Sequence, residues 1–332
     1  MTLAPLRVAI AGCGLIGRKR AESLGSDQLV ASFDIVPDAS AALASDFGGK
    51  ACASLDELLA EQPDVVVVAV VHSELADVAC AALDAGSHVL VEKPAGVGTR
   101  DVDRLAATAR SADRLVKVGF NHRFHPAVAR AVTEARSGMH GDLLFARARY
   151  GHGGRLGYES EWRADPRRSG GGEVVDQGMH LLDLGYWLFG PLPLHSAMLR
   201  THFWEAPVDD NAVLLLGEHG GVGDASPWML LHVSWTEWKN LFSLEIYCQR
   251  AKLAVDGLVR SYGPQRLCVY RMGPELGPPE VDVVAYPDED VSWEHEWAHF
   301  ALAVRTGRSE LLGDLASARY AWACVEQAQH AR

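Results

Sequence analysis

Hydrophobic and polar positions follow one another along this chain in two regimes. In the first, short apolar runs are separated by stretches of helical period. Arg7 to Ala11, Leu29 to Phe33, Asp64 to Val71, His88 to Glu92 and Leu115 to Gly119 are β-prone runs with little polar interruption, the pattern of strands buried on both faces. Between them Arg18 to Gly25, Pro37 to Phe47, Ser54 to Leu59, Ser73 to Ala85 and Thr99 to Ser111 read as helices, the third opened by a serine cap and the fourth closed by Gly86. Strand and helix in alternation predict an α/β fold, a doubly wound parallel sheet of five or six strands with its crevice at the strand C-termini.

Beyond Phe124-His125-Pro126 the regime changes. A helix at about Ala127 to Ser137 leads into Leu143 to Gly151, Ala212 to Leu216, Met229 to Trp235, Phe242 to Cys248, Lys252 to Asp256 and Leu267 to Arg271, whose alternation predicts an open, mostly antiparallel sheet. A glycine- and arginine-rich segment from Gly151 to Gly172 precedes a helix from Glu173 to about Leu188. Two helices, Trp293 to Thr306 and Leu315 to about His330, close the chain. The change of pattern divides the chain into residues 1–123, a doubly wound α/β domain, and 124–332, a second α/β domain.

Composition narrows the field. A chain of 332 residues that is 48% hydrophobic and 22% charged has ample core for two domains. Its net charge of −12 argues against nucleic acid or an anionic membrane as the main partner. The six cysteines show no C-x-x-C spacing, so neither a disulfide framework nor a structural zinc is expected, and a reducing cytoplasm is. With no basic stretch ahead of the first strand and glycines interrupting it soon after, neither a signal peptide nor a transmembrane helix is expected.

The first strand runs directly into Gly12-Cys13-Gly14-Leu15-Ile16-Gly17 and a helix. In such a unit the first glycine permits the tight turn and the second admits a pyrophosphate to the backbone amides. The third lets helix pack on strand, and the amides around Leu15 and Ile16 open the helix toward the anion. The second strand ends in Asp34, placed to accept hydrogen bonds from an adenosine ribose and to repel a 2′-phosphate. NAD is therefore favoured over NADP.

Lys93, at a strand end before Pro94, suits stabilisation of a developing alkoxide. In the helix after the triple glycine, Asp176 and His180 are four apart, so a carboxylate one turn away orients an imidazole for general acid/base work. Two further patterns carry metal chemistry in other settings. His295-Glu296-Trp297-Ala298-His299 satisfies a zinc-protease motif, but no compelling third ligand or protease architecture accompanies it; Asp176, His180 and Asp183 share a helix face that needs no metal beside a nicotinamide. No metal is expected.

Taken together, Gly12-x-Gly14-x-x-Gly17, Glu92-Lys93-Pro94, Gly119-Phe120-Asn121-His122-Arg123-Phe124-x-Pro126 and Gly171-Gly172-x-x-x-Asp176-x-Gly178-x-His180 resemble the Gfo/Idh/MocA oxidoreductases, which include glucose-fructose oxidoreductase and inositol 2-dehydrogenase. The resemblance covers essentially the whole chain. It implies an N-terminal Rossmann domain, a C-terminal domain with an open antiparallel sheet, and reversible oxidation of a secondary alcohol with NAD or NADP. It places Lys93 near the reacting hydroxyl and the nicotinamide ribose, with Asp176 supporting His180 as proton acceptor. Glu92 and Asn121 would line the crevice, and Trp162 and Arg163 would reach toward the cofactor. Many relatives carry Thr-Pro-Asn where this chain has Val70-Val71-His72, so contacts of Val71 and His72 to the nicotinamide depart from the family pattern.

The segments Ser234 to Asn240 and Ser261 to Pro264 resemble a branch acting on sugar nucleotides and sugar-bearing natural products. Trp238 and Lys239 suit stacking on a pyranose and hydrogen bonding to it. Trp235 and Trp238 also fit as plain core or interface aromatics. Arg123, His125, Tyr158 and Arg163 are further substrate candidates. The expectation is an NAD-dependent dehydrogenase or ketoreductase of a sugar, aminosugar, sugar nucleotide or sugar conjugate. The alternatives are a cyclitol or dihydrodiol dehydrogenase and a non-catalytic NAD sensor. The open sheet predicts a homodimer or homotetramer.

Overall fold

A computed structural model of the chain describes residues 4–275 and 277–330. They form two compact units, one holding the chain as far as Asn121 together with Trp293–Arg319, the other His122–Ser292 and the chain from Tyr320 onward.

In the first unit, β1 (Arg7–Ala11), β2 (Gln28–Phe33), β3 (Lys50–Ala51), β4 (Val65–Val68), β5 (His88–Glu92) and β6 (Val116–Gly119) form one six-stranded sheet in the order β3-β2-β1-β4-β5-β6. Every pair is parallel. This is the expected doubly wound arrangement, its order reversing beside β1, where ligands bind in such folds. The four valines of β4 are fully buried, as a central strand covered on both faces requires. β4 stops at Val68 rather than Val71 because its register partner β1 ends at Ala11, where Gly12 turns the chain away.

The expected single boundary after Arg123 is replaced by a split at Asn121 and a return of the chain to the first unit. Trp297, Phe300 and Ala301, on the helix Ser292–Thr306, lie in the same core cluster as Val8, Ile10, Leu43 and Val67. Their apolar stripe needs a partner, and the sheet's flanking core supplies it.

In the second unit, β7 (Leu143–Gly151), β8 (Leu194–Arg200), β9 (Asn211–Leu216), β10 (Trp228–Ser234), β11 (Leu241–Cys248), β12 (Ala251–Asp256), β13 (Arg266–Arg271) and β14 (Glu280–Ala285) form an eight-stranded sheet in the order β14-β13-β12-β11-β7-β10-β9-β8. β7 and β10 are parallel and the other pairs antiparallel. β8 and β14 are edge strands without the alternation of the inner ones, so the periodicity of the sequence did not mark them. The helix Pro126–Arg136 packs on β11, β12 and β13, and the helix Gly178–Phe189 packs on β7 and β10. Trp228, Phe145 and Tyr247 stack across three strands, with centroid separations of 4.5 and 4.2 Å. No helix among the described residues is long and apolar enough to cross a membrane.

Candidate active site

The glycine turn of the first unit divides its labour as its sequence predicts. Gly12 has φ of +94°, and a Cβ there would strike the Ala69 carbonyl; a Cβ on Gly17 would strike the carbonyl of Gly12. Around Gly14 nothing lies within 4 Å of where a Cβ would be, so the protein's own packing leaves that position open. The helix Leu15–Glu22 begins there with no side-chain cap and no acidic residue in its first turn, leaving amide donors and the positive end of its dipole for an anion.

Asp34 braces this turn. Its Oδ2 accepts from the Cys13 amide at 2.7 Å and its Oδ1 from the Val36 amide at 2.9 Å. Leu15, which opens the helix after β1, and Ile35 and Val36, in the loop after β2, are exposed apolar side chains suited to the faces of an adenine ring. An open middle glycine, free helix amides and a fixed acidic residue fit a dinucleotide. Burial of Cys13, with Asp34 beside it, pushes its thiol up to about 12.

Lys93 follows β5 and precedes Pro94 across a cis peptide bond. Glu92, expected to line the crevice, is instead turned inward. Arg20 donates to it from Nε at 2.6 Å and to Glu296 from a terminal nitrogen at 2.7 Å, and Lys117 donates to Glu296 at 2.6 Å. All four groups are buried. The zinc-protease pattern is accounted for here: its glutamate belongs to this network, and the Nε2 of His299 accepts the Leu312 amide at 3.1 Å, so that lone pair is engaged. Val71 is the cap residue of the helix His72–Asp84, His72 is buried, and Asn121 is a buried start to a tight turn.

In the second unit the helix expected from Glu173 to Leu188 is broken. It runs Glu173–Asp176, turns at Gln177 and resumes as Gly178–Phe189, so the one-turn spacing of Asp176 and His180 is not that of a continuous helix. Asp209 sets the start: its Oδ2 accepts the Val174 amide at 2.8 Å and its Oδ1 the Gly172 amide at 3.3 Å, and a Cβ on Gly172 would collide with the Asp209 backbone. His180 is buried, and its ring stacks on His122 with centroids 3.7 Å apart. Tyr150, His125 and Phe242 surround His122 at 5.0 to 6.0 Å.

Arg163 pairs with Asp176 at 3.4 Å while its guanidinium lies over Trp162, 4.6 Å from the ring centre. A ring nitrogen of His152 and one oxygen each of Glu173 and Asp176 lie within 4.8 Å of one another. Burial, foremost, holds His152 below the usual imidazole range, with Arg163 and Arg155 adding to that and Asp176 opposing it. Burial also pushes Tyr262, which accepts from Gln177 Nε2 at 3.0 Å, up to about 12.

Several expected substrate residues have other partners. Arg123 is buried and donates to both oxygens of Asp183, at 2.8 and 2.7 Å, which also removes Asp183 from any shared face with Asp176 and His180. His125 is buried against Gln265, and Tyr158 packs with Trp204, Val208 and Trp235 in a closed aromatic cluster. Trp235 is core. Trp238 and Lys239 are exposed, Trp238 with φ of +53° and its ring edge-on to the exposed Phe203 at 4.7 Å.

The sequence did not single out His122, His152 or Glu173. His122 lay in a quoted motif, His152 follows β7 directly, and Glu173 opens the helix after the triple glycine, so position at an element boundary was the available signal.

Residues 6–120 match the family model described as "Oxidoreductase family, NAD-binding Rossmann fold", and residues 128–254 match the GFO/IDH/MocA C-terminal domain. The chain belongs to the GFO/IDH/MocA family. This oxidoreductase is 35% identical over 172 residues to the 1-carboxy-3-chloro-3,4-dihydroxycyclohexa-1,5-diene dehydrogenase of Comamonas testosteroni, covering 47% of this chain and 40% of that protein. It is 30% identical over 198 residues to the D-glucoside 3-dehydrogenase of Escherichia coli, covering 57% and 56%. The chain thus spans about half the length of the curated relatives it matches. Among solved structures, the UDP-N-acetylglucosamine 3-dehydrogenase of Acidithiobacillus ferrooxidans superposes with a TM-score of 0.80 over 99% of this chain and 98% of that one, at 22% identity, a likeness of fold.

Proposed function

We propose that this GFO/IDH/MocA oxidoreductase oxidises a secondary hydroxyl on a sugar-type ring, reversibly, with NAD as its cofactor. The observation that carries the reading is the buried imidazole of His180, stacked on His122 and four residues beyond Asp176, which Arg163 holds by an ion pair. The turn Gly12–Gly17 and Asp34 would hold NAD, which would supply the hydride acceptor for the carbinol hydrogen and its electron pair. An imidazole nitrogen of His180 takes the hydroxyl proton, Asp176 holds that imidazole in orientation, and Lys93 steadies the oxygen as it gains charge. Asp34, fixed by two backbone amides, favours a ribose hydroxyl over a 2′-phosphate.

The relatives support a ring alcohol and span both a glucoside and a cyclic diol, so sugars, aminosugars, sugar nucleotides, cyclitols and dihydrodiols form the substrate panel. The experiment is absorbance at the reduced-nicotinamide band with NAD and that panel, for the wild type and His180→Ala. Turnover with one class, lost in His180→Ala with NAD affinity retained, is the expected result. Turnover that survives His180→Ala, or NAD binding with silence across the panel, would overturn the catalytic assignment.

A further inference from the structure

His122 and His180 lie face to face, their ring centroids 3.7 Å apart and their planes 24° from parallel. His122 comes from the tight turn Asn121–Phe124 and His180 from the helix Gly178–Phe189, and both are buried. Tyr150 of β7 stands beside the pair, its centroid 5.0 Å from His122 and 6.2 Å from His180. Phe242 of β11 and His125 lie 6.0 and 5.5 Å from His122. One ring against its face and another against its side hold the plane of His180.

The stack also couples the two rings as bases. Two imidazolium ions this close repel, and burial leaves little water to screen them. The pair therefore takes a first proton well before a second. Asp183, on the helix of His180, accepts from Arg123 on both oxygens. Asp176 and Glu173, on the short helix before it, act on the Tyr150 phenol as well, and Asp176 pairs with Arg163. His125 has Gln265 at 3.2 Å and Asp290 at 3.9 Å from its Nδ1. Burial holds the Tyr150 phenol well above its ordinary range and pushes Tyr262, 5.3 Å from it, up to about 12, so both stay neutral. The carboxylates favour a first proton on the pair, and the repulsion between the rings still opposes the second.

We propose that His122 is a positioning residue for His180, fixing the plane of the base and competing with it for the single proton the pair accepts. The inference rests on His180 being the proton acceptor. As pH falls, molecules that carry the proton on His122 keep a neutral imidazole at His180 and stay active. With a ring in place of His122 that takes no proton, every protonated molecule carries it on His180. The acid limb of activity then moves to higher pH.

Two measurements test it. The first is the pH profile of NAD reduction across the ring-alcohol panel, each profile normalised to its alkaline plateau. His122→Phe keeps a flat ring in the stack and removes the second base. About one pH unit below its own midpoint it should retain about a tenth of its plateau where wild type retains about half, a difference of about fivefold. Profiles that coincide after normalisation would refute the sharing of the proton, and with His180→Ala inactive the base assignment would stand. Activity retained in His180→Ala would instead remove the base assignment, and the proposal with it. The second is long-range 1H–15N correlation of the histidine side chains in the purified wild type without substrate, which decides the matter even if His122→Phe does not fold. Between about pH 8 and 5 the two rings should take up about one proton together, each only in part. Two fully protonated rings in the folded protein, or a His122 that stays unprotonated while His180 titrates alone, would overturn the proposal.

Discussion

Replacing Glu296 by leucine removes one carboxylate from a buried cluster of two cations and two anions. In the intact network Arg20 is shared between Glu92 and Glu296, and Lys117 donates to Glu296 at 2.6 Å with every side chain but that of Glu92 wholly inaccessible. Burial alone would push the Glu296 carboxyl up, and the two adjacent cations reverse this and hold it below the usual range. Without it, Lys117 and Arg20 face one carboxylate between them. Breaking a buried pair by removing one partner costs about 3–5 kcal/mol. For a unit of this size that corresponds to a fall of about 6–20 °C in Tm. Calorimetry of Glu296→Leu at pH 7 reads it directly. Lys117→Met with Glu296→Leu leaves Arg20 with Glu92 as a balanced pair and should recover most of the loss, because buried pairs replaced by apolar residues are often neutral. A single variant melting within about 2 °C of wild type, or a double variant no better than the single, would refute the assignment of these energies to charge balance.

Gly14→Ala should leave Tm unchanged yet abolish NAD binding by calorimetry, whereas Gly17→Ala should lower Tm as well, since only the second Cβ meets the protein. Wild type should bind NAD more tightly than NADP, and Asp34→Ser should narrow that gap; a wild-type preference for NADP would end the reading of Asp34. Mass spectrometry after brief maleimide treatment at pH 7.5 should find Cys80, the half-buried thiol, modified well before Cys13. His88 and His299 each accept a backbone amide and are held below 6.5 by burial, so the unfolded chain protonates first and stability falls as pH drops through about 6.5; denaturation midpoints at pH 8 and 5.5 should differ, and less so with both changed to glutamine.

The strands and helices of the first unit could be read from the sequence because each strand is buried on both faces and announces itself as an unbroken apolar run. Val65 to Val68 is the clearest case. The edge strands Leu194–Arg200 and Glu280–Ala285 could not, since only Leu199 among their residues is buried and the rest answer wholly or partly to solvent. Asp176, His180, Lys93 and Asp34 stood out in the sequence as candidates because each lies near the start or end of an element. The partners of Arg123, Glu92 and His125 were not, because a charged or polar side chain near a crevice and one buried in an ion pair have the same local sequence. What separates them is a partner far along the chain, 60 positions away for Arg123, 72 for Glu92 and 140 for His125. The break at Gln177 had no sequence signal of its own, and the start of the short helix before it is set from a distance by Asp209, more than thirty positions downstream, which accepts the Gly172 and Val174 amides.

The return of Trp293–Arg319 to the first unit makes residues 122–292 an insertion within a discontinuous domain. A fragment ended at residue 123 would lose Trp297, Phe300 and Ala301 from its core and Glu296 from its ion network, and should be recovered as aggregate. Chimeras that exchange substrate specificity between relatives therefore call for two junctions, one near Asn121 and one near Trp293. The final helix, Leu315–His330, is divided between the units at Arg319 and Tyr320, so it is best kept with the recipient chain. Under that rule the part of the chain most open to exchange is a cassette bounded by two peptide junctions, and the nucleotide-binding scaffold is inherited from both ends of the polypeptide.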